Sequence, residues 1–571
     1  MDDFARSDVD VARANVRGAR AIVDALVALG VRHVVLAPGS RSTPLVAACA
    51  AQPQLSTYVV HDERSGAFIA LGIGRASDAP AALVVTSGTA LANATPAVVE
   101  ADADRVPLII VSADRPPEAQ GTDANQTIDQ QAFFGARSRA FVNLSPPDDI
   151  ADLDRAQADL SRALTVCLAP VPGPVHVNAM FRKPLEPVAI DDDTAPSTLV
   201  LPTPTRRLVD YTEVNLKSAI SRLAEAERGL VVCGAAHDAH ERAQMSAVVR
   251  ASRWPVVVEA LSGLRDADLP RALASTALVA KAGGAPLEPD VVLWLGGALV
   301  SNEALSIVAR ATTVVRAEDR GRRRPEHARE LVMGRWDPTT FAPALRDARA
   351  HEAGLVDDVC ARRVLEAFAA DTTAPLDEPF IAHAVARASR VHDGALFIGN
   401  SMPIRDVELF GGTSVGEVFA NRGASGIDGL CSTAAGVAIA RRGPITALVG
   451  DVSFLHDAGA WSSLAALAPS LRVVVVENGG GRIFEHLPIG SHASLLERYF
   501  VTPHTVDLVA LARAYGVSAC RVESRAELVE RLHLPARSAE IVVARVDGPG
   551  QVAARRALFA RVRDALTEQT P

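Results

Sequence analysis

Short apolar runs bounded by Gly, Pro, Asn and Asp alternate with longer segments whose apolar residues recur at helical spacing. Val16, Ala19, Val23 and Leu26 mark one face of a helix over 11–29 that stops at Gly30. A strand is predicted over 33–37, broken by Pro38-Gly39-Ser40-Arg41-Ser42. After a helix follow a strand over 57–60, a helix over 64–76 and a strand over 82–85. The turn Thr86-Ser87-Gly88-Thr89 leads through another helix to a strand over 107–111, and a strand over 174–178 closes the block. Uninterrupted apolar strands alternating with helices predict a parallel sheet covered on both faces.

The pattern repeats twice. A second block over 206–350 has strands predicted at 229–233, 256–259, 291–295 and 313–315, and its basic run 320–324 reads as a solvated loop. A third block has strands at 396–399, 418–421, 445–449, 473–476 and 541–546. The Asp-, Thr- and Pro-rich stretch 191–205 reads as a linker, and 351–378 as a second, partly helical one. The expected architecture is α/β, with three doubly wound parallel-sheet domains over 1–190, 206–350 and 379–571. The first and third share one layout and are expected to carry the sites.

Bulk properties narrow the function class. With 571 residues, 49% hydrophobic and 22% charged, the chain is long enough for several cored domains. A formal charge of −9 argues against nucleic acid as a partner. The six cysteines lack close pairs, which favours reduced thiols over disulfides or zinc sites. Met1-Asp2-Asp3-Phe4 lacks the features of a secretory signal, and no apolar run approaches the roughly 20 residues that span a bilayer. A soluble, cytoplasmic protein without membrane insertion is expected.

The stretch 450–484 carries the clearest chemistry. Gly450-Asp451 ends one predicted strand, and Asn478-Gly479-Gly480-Gly481 follows the next. Parallel strands joined by a helical crossover place Asp451 and Asn478 side by side at the carboxyl edge of a sheet, where open α/β sheets bind ligands. A carboxylate, an amide oxygen and a turn carbonyl suit a hard divalent cation that keeps positions for phosphate oxygens. Asp and Asn also end strands simply as turn formers. Three further neighbourhoods have two readings each. Glu63, in His61-Asp62-Glu63-Arg64, suits either chemistry or a helix N-terminus. Ser401, in Gly399-Asn400-Ser401, suits either a site or a helix cap. The glycine-rich turn 421–429 either offers backbone N–H groups to an anion or is a plain loop. No Gly-x-Gly-x-x-Gly follows a predicted strand, and Gly72-Ile73-Gly74 falls within a helix, so a nicotinamide dehydrogenase is poorly supported.

Taken together, Ala37-Pro38-Gly39-Ser40-Arg41-Ser42-Thr43-Pro44, Asp62-Glu63-Arg64, Thr86-Ser87-Gly88-Thr89-Ala90 and Ala113-Asp114-Arg115-Pro116-Pro117-Glu118 resemble one thiamine-diphosphate family. Gly399-Asn400-Ser401, the turn 421–429, Gly450-Asp451 and Gly481-Arg482-Ile483-Phe484 continue the match in the third block. The family is that of the 2-succinyl-5-enolpyruvyl-6-hydroxy-3-cyclohexene-1-carboxylate (SEPHCHC) synthases of menaquinone biosynthesis. The resemblance implies that 2-oxoglutarate loses carbon dioxide and its succinyl unit adds to isochorismate. It places on Glu63 the hydrogen bond to the cofactor's aminopyrimidine, and on Ile427 the bulky side chain that keeps the cofactor bent. Asp451, Asn478 and the Gly480 carbonyl match the ligands of magnesium (or manganese). Pro38, Gly39, Thr86, Gly88, Ser401, Gly450, Val452, Ser453, Ile483 and Phe484 complete the implied cofactor site. For substrates with two carboxylates, the implied partners are Ser40, Arg41, Arg115, Asn125, Gln126, Ser401, Arg405 and Arg422. Arginine suits them because its planar fork binds a carboxylate through two parallel hydrogen bonds. Two departures stand out: Glu477 precedes Asn478 where a polar, uncharged residue is common, and Ser301-Asn302-Glu303 stands where a basic pair is frequent. A homodimer, with a tetramer also compatible, is implied, Glu63 of one subunit serving its partner's diphosphate site. Another thiamine-dependent 2-oxoacid decarboxylase or carboligase, and a non-catalytic paralogue, are the competing readings.

Overall fold

The computed structural model describes residues 7–77, 79–146, 150–169, 171–188, 213–265, 269–317, 330–333, 338–347, 352–413, 416–467 and 470–568. The expected linker 191–205 and the basic run 320–324 lie outside the described residues. The chain divides into two compact units, one of residues 1–207, 421–441 and 457–468, the other of 208–420, 442–456 and 469–571.

The first unit is built on β1 (His33–Leu36), β2 (Ser56–Val59), β3 (Ala81–Val85), β4 (Leu108–Asp114), β5 (Ala140–Leu144) and β6 (Pro174–Met180). Their order is β2-β1-β3-β4-β6-β5, all parallel. The direction of winding reverses between β1 and β3, so the turns that follow these two strands flank a crevice. The helix Glu63–Ala76 starts where the Asp62 carboxylate accepts the Arg64 N–H at 3.0 Å. It is buried from Ser65 to Gly74 because the helix Leu430–Arg441 packs against it. Glycine makes this crossing possible. A Cβ on Gly72 would lie 2.1 Å from the Thr433 carbonyl oxygen, and one on Gly436 would lie 2.1 Å from that of Ile69.

The second unit contains two sheets. β7 (Gly229–Cys233), β8 (Val256–Val258), β9 (Ala272–Leu273), β10 (Val291–Leu295), β11 (Thr313–Ala317) and β12 (Glu330–Met333) run in the order β12-β11-β10-β7-β8-β9. β13 (Ala395–Ile398), β14 (Glu417–Phe419), β15 (Ile445–Gly450), β16 (Leu471–Glu477), β17 (Ser518–Val522) and β18 (Glu540–Arg545) run as β14-β13-β15-β16-β18-β17, the same winding as the first sheet. Double winding shows in the cores: Val231 and Cys233 pack with Val249 and Phe341, while their neighbours Leu230 and Val232 pack with Ile307 and Val308 on the other face. No helix among the described residues is long and apolar enough to cross a membrane.

The predicted strands are present with ends shifted by at most three residues, but β5, β9, β12 and β17 were not anticipated. Each lies at the outer end of its sheet. An end strand is covered less completely, so its residues need not form an apolar run; Ser518 is exposed in β17 and Asn143 in β5. The segment read as a second linker is built into the fold. Its helix Leu355–Ala370 buries Ala361, Leu365 and Phe368 against Phe380 and Val385.

The Gly436 crossing yields a stability prediction. Gly436→Val should destabilise the protein by about 3 kcal/mol, because the added atoms meet backbone that cannot rotate away. Urea denaturation should show a lowered midpoint; an unchanged midpoint would contradict the close approach.

Candidate active site

At the carboxyl edge of the first sheet, the structure gathers four stretches singled out in the sequence. Gly39, after β1, sits against Thr86, after β3, so closely that a Cβ on Gly39 would lie 2.3 Å from that of Thr86. Gly88 (φ +84°) donates its N–H to Gln130 Oε1 at 2.8 Å. The Gln126 side chain donates to the Ser87 carbonyl at 2.8 Å. Arg115, after β4, donates through Nε to the Asn125 carbonyl at 3.2 Å. Arg41 is buried and donates to the Phe181 carbonyl at 2.8 Å, while its Nε has no partner among the described residues. Burial first, and repulsion from Arg115 second, hold its guanidinium at about 10, against the opposite pull of Asp114. Pro38 and Ser40 remain exposed on the same loop.

Beneath these loops lies a buried polar network that the sequence reading did not identify. Asn178 Oδ1 accepts from Ser112 at 2.7 Å and from Gln130 at 2.8 Å, and its Nδ2 donates to Asp114 at 2.9 Å. Asp114 in turn accepts the Arg115 N–H at 2.7 Å, so the network sets the start of the Arg115 loop. Partners so distant in sequence leave no local signature. Glu63 opens its helix, half-buried, and accepts a hydrogen bond from Asn93 at 3.1 Å. It is thus well placed on the helix dipole whatever its chemistry.

The glycine-rich turn 421–429 belongs to the first unit. Its capacity to bind an anion is real, but the anion is internal. The buried carboxylate of Glu100 accepts the N–H groups of Gly423 at 2.8 Å, Ala424 at 2.7 Å and Ser425 at 3.2 Å. These donors are therefore not available to a ligand, which corrects the reading of the turn as an anion cradle. Arg422 and Ile427 are half-buried on it.

In the second unit, β15 pairs with β16 so that Gly450 faces Val476, which sets Asp451 beside the turn that follows β16. Asp451 is buried. One carboxylate oxygen accepts from Gly479 N–H at 2.9 Å and Gly480 N–H at 3.0 Å, the other from Val452 N–H at 2.7 Å. Burial raises its pKa, and the amides with nearby His504 pull it back. Asn478 donates to Glu378 at 2.6 Å, whereas its Oδ1 is buried with no partner among the described residues. That orphan acceptor next to a buried carboxylate fits a divalent cation, so Asp451, Asn478 and Gly480 are chemically suited to hold one. Gly480 (φ +130°) is required here, because a Cβ would lie 2.2 Å from the Val501 carbonyl oxygen. Ser453 is buried two residues on, and Val452 is half-buried. Glu477, the unexpected charge, is paired with Arg521 at 3.2 Å.

Ser401 follows β13, beside the β13–β15 reversal. Its side chain makes no capping bond, and its φ of +73° is strained for a residue with a Cβ. The capping reading is therefore corrected, since the hydroxyl is left for other work. Arg405 Nη1 donates to the Ser401 carbonyl at 2.6 Å. Arg405 and Ile483 line a cavity of about 490 Å³ that also touches Asn302 and Glu303. Phe484, beside Ile483, packs edge-on against Phe500 at 5.2 Å.

The role of Glu100 can be isolated by Glu100→Gln, which places an amide donor against three N–H donors. A cost of about 2 kcal/mol is expected, with faster hydrogen exchange at Gly423, Ala424 and Ser425. Unchanged exchange there would show that the carboxylate does not hold the turn.

Comparison with known proteins agrees with this geometry. Residues 16–133 match the thiamine pyrophosphate enzyme N-terminal TPP binding domain, and residues 416–544 the C-terminal TPP binding domain. A protein of Myxococcus xanthus named 2-succinyl-5-enolpyruvyl-6-hydroxy-3-cyclohexene-1-carboxylate synthase is 37% identical over 98% of this chain and 99% of its own. Proteins of the same name from Roseiflexus sp. and Sorangium cellulosum are 36% and 38% identical, over 95% and 94% of this chain and 97% and 94% of theirs. The chain belongs to the SEPHCHC synthase family of thiamine-diphosphate-dependent enzymes.

Proposed function

We propose that the protein releases carbon dioxide from 2-oxoglutarate and joins the succinyl unit to isochorismate by conjugate addition, as a carboligase of menaquinone biosynthesis. The observation that carries this reading is the pair of turns after β15 and β16, where buried Asp451 adjoins the unpartnered oxygen of Asn478.

Thiamine diphosphate, when bound, supplies the thiazolium carbon at which the donor loses its carboxylate. The residues proposed around it have separate tasks. Asp451, Asn478 and the Gly480 carbonyl hold Mg²⁺ (or Mn²⁺) against the diphosphate. Glu63 holds the proton shared with the aminopyrimidine nitrogen. Ile427, Ile483 and Phe484 supply apolar surface that excludes water. Ser40, Arg41, Arg115, Asn125, Gln126, Ser401, Arg405 and Arg422 orient substrate carboxylates, and a strained Ser401 with a free hydroxyl supports its place among them. The working assembly is a cytoplasmic homodimer. The proposed domains are 1–190, pyrimidine-binding; 206–350, the middle α/β domain; and 379–571, diphosphate- and metal-binding.

Purified protein supplied with thiamine diphosphate, Mg²⁺, 2-oxoglutarate and isochorismate should release carbon dioxide and consume isochorismate in equal amounts. Carbon dioxide without isochorismate consumption would point to another 2-oxoacid decarboxylase, and no cofactor binding to a non-catalytic paralogue. Glu63→Gln should keep cofactor affinity but lower turnover by about 10²- to 10⁴-fold, the range of general acid–base assistance. A near-native rate would remove Glu63 from the proton relay. Asp451→Ala should weaken magnesium-dependent cofactor binding by at least about tenfold in calorimetry; an unchanged affinity would take it out of the ligand set.

A further inference from the structure

The cavity of about 490 Å³ in the second unit has an uneven charge balance. Three acidic side chains line it, Glu303, Glu408 and Glu485. Each already has its own cation: Lys281 bonds Glu303 at 2.7 Å, buried Arg265 pairs with Glu408, and Arg482 pairs with Glu485. Of the four basic residues on the wall, Lys281 is thereby spent. Arg555 is spent as well, since it donates to Asp406 at 2.6 Å and to Glu378. Two cations remain. Arg405 reaches only the Ser401 carbonyl, and Arg556, on the helix Gln551–Glu568, has no hydrogen bond or acidic partner among the described residues. Both face solvent.

His486, exposed on the same wall, has its pKa lowered to about 4, first by loss of hydration and then by repulsion from Arg555, Arg556, Lys281 and Arg405. A cavity with two exposed guanidinium groups that form no salt bridge among the described residues suits an occupant with two anionic groups, because an arginine fork binds a carboxylate in two parallel bonds. Leu409, Ile483, Leu487, Val552 and Phe559 add apolar surface between the charges, and the volume exceeds what a short, open-chain diacid fills.

We propose that Arg556 is a specificity-determining residue that holds the outer carboxylate of the cyclic dicarboxylate acceptor, while Arg405, lining the same cavity, faces the acceptor's other carboxylate. The inference rests on the functional reading above and adds to it a residue on the C-terminal helix. It also supplies a cation for the subsite where the first turn of the helix Asn302–Arg310 offers only an amide and a committed acid.

Arg556→Gln and Arg556→Lys test it, in protein loaded with thiamine diphosphate and Mg²⁺. Isochorismate affinity by calorimetry and the KM values for both substrates are the readouts. The expected result for Arg556→Gln is a rise of about tenfold or more in Kd and KM for isochorismate, with kcat and the 2-oxoglutarate KM within about twofold. Arg556→Lys should recover part of the loss, since it restores charge without the fork. Unchanged isochorismate affinity, or a loss shared by or confined to 2-oxoglutarate, overturns the assignment. Wild-type protein that neither binds nor consumes isochorismate overturns the functional reading itself, a failure visible before any variant is made.

Discussion

The carboxylate of Asp451, bonded to the amides of Gly479 and Gly480, is the joint on which the carboxyl edge of the third sheet depends. It locks the turns after two neighbouring parallel strands into one surface. Burying an ionised carboxylate is costly, and the three backbone donors offset that cost without consuming a cation. The same turn leaves Asn478 Oδ1 buried and unbonded, a deficit of about 1–3 kcal/mol for a polar group removed from water. Glycine is indispensable at Gly480 because the Val501 backbone occupies the space a side chain would need.

From Asn478 a buried chain of polar contacts runs through Glu378 to Arg555 and Asp406. Burial raises Asp406 to about 7, and Arg555 opposes the rise. Arg555 also forms part of the wall of the large cavity. The turn that carries Asn478 and the cavity are therefore braced by one network of side chains, and hydrogen-bonded networks in low dielectric are rigid.

All three sheets are doubly wound, but in two different strand orders. In the first and third, the reversal lies beside open turns that carry Gly39, Thr86, Ser401 and Asp451. In the middle sheet, it falls between β7 and β10. There Gly297 donates to the Ala235 carbonyl at 2.8 Å, and a Cβ on Gly234 would lie 2.4 Å from the Gly297 oxygen, so the turns after these strands touch. The middle sheet instead contributes a wall, through the helix Asn302–Arg310, to the cavity beside Arg405.

The amino-acid sequence by itself determined the α/β class, the central strands and the adjacency of Asp451 to Asn478. These follow from short-range rules: strands covered on both faces read as continuous apolar runs, and a crossover between parallel strands forces their ends together. It could not announce the end strands such as β5 and β17, whose partly exposed faces carry no such run. Nor could it show that Glu100 fills the anion cradle of the turn 421–429, or that the Ser401 side chain leaves its helix uncapped. Those outcomes were decided only by tertiary structure, because hydrogen-bond partners hundreds of residues apart, and the balance of charge around a cavity, exist only once the chain has closed on itself.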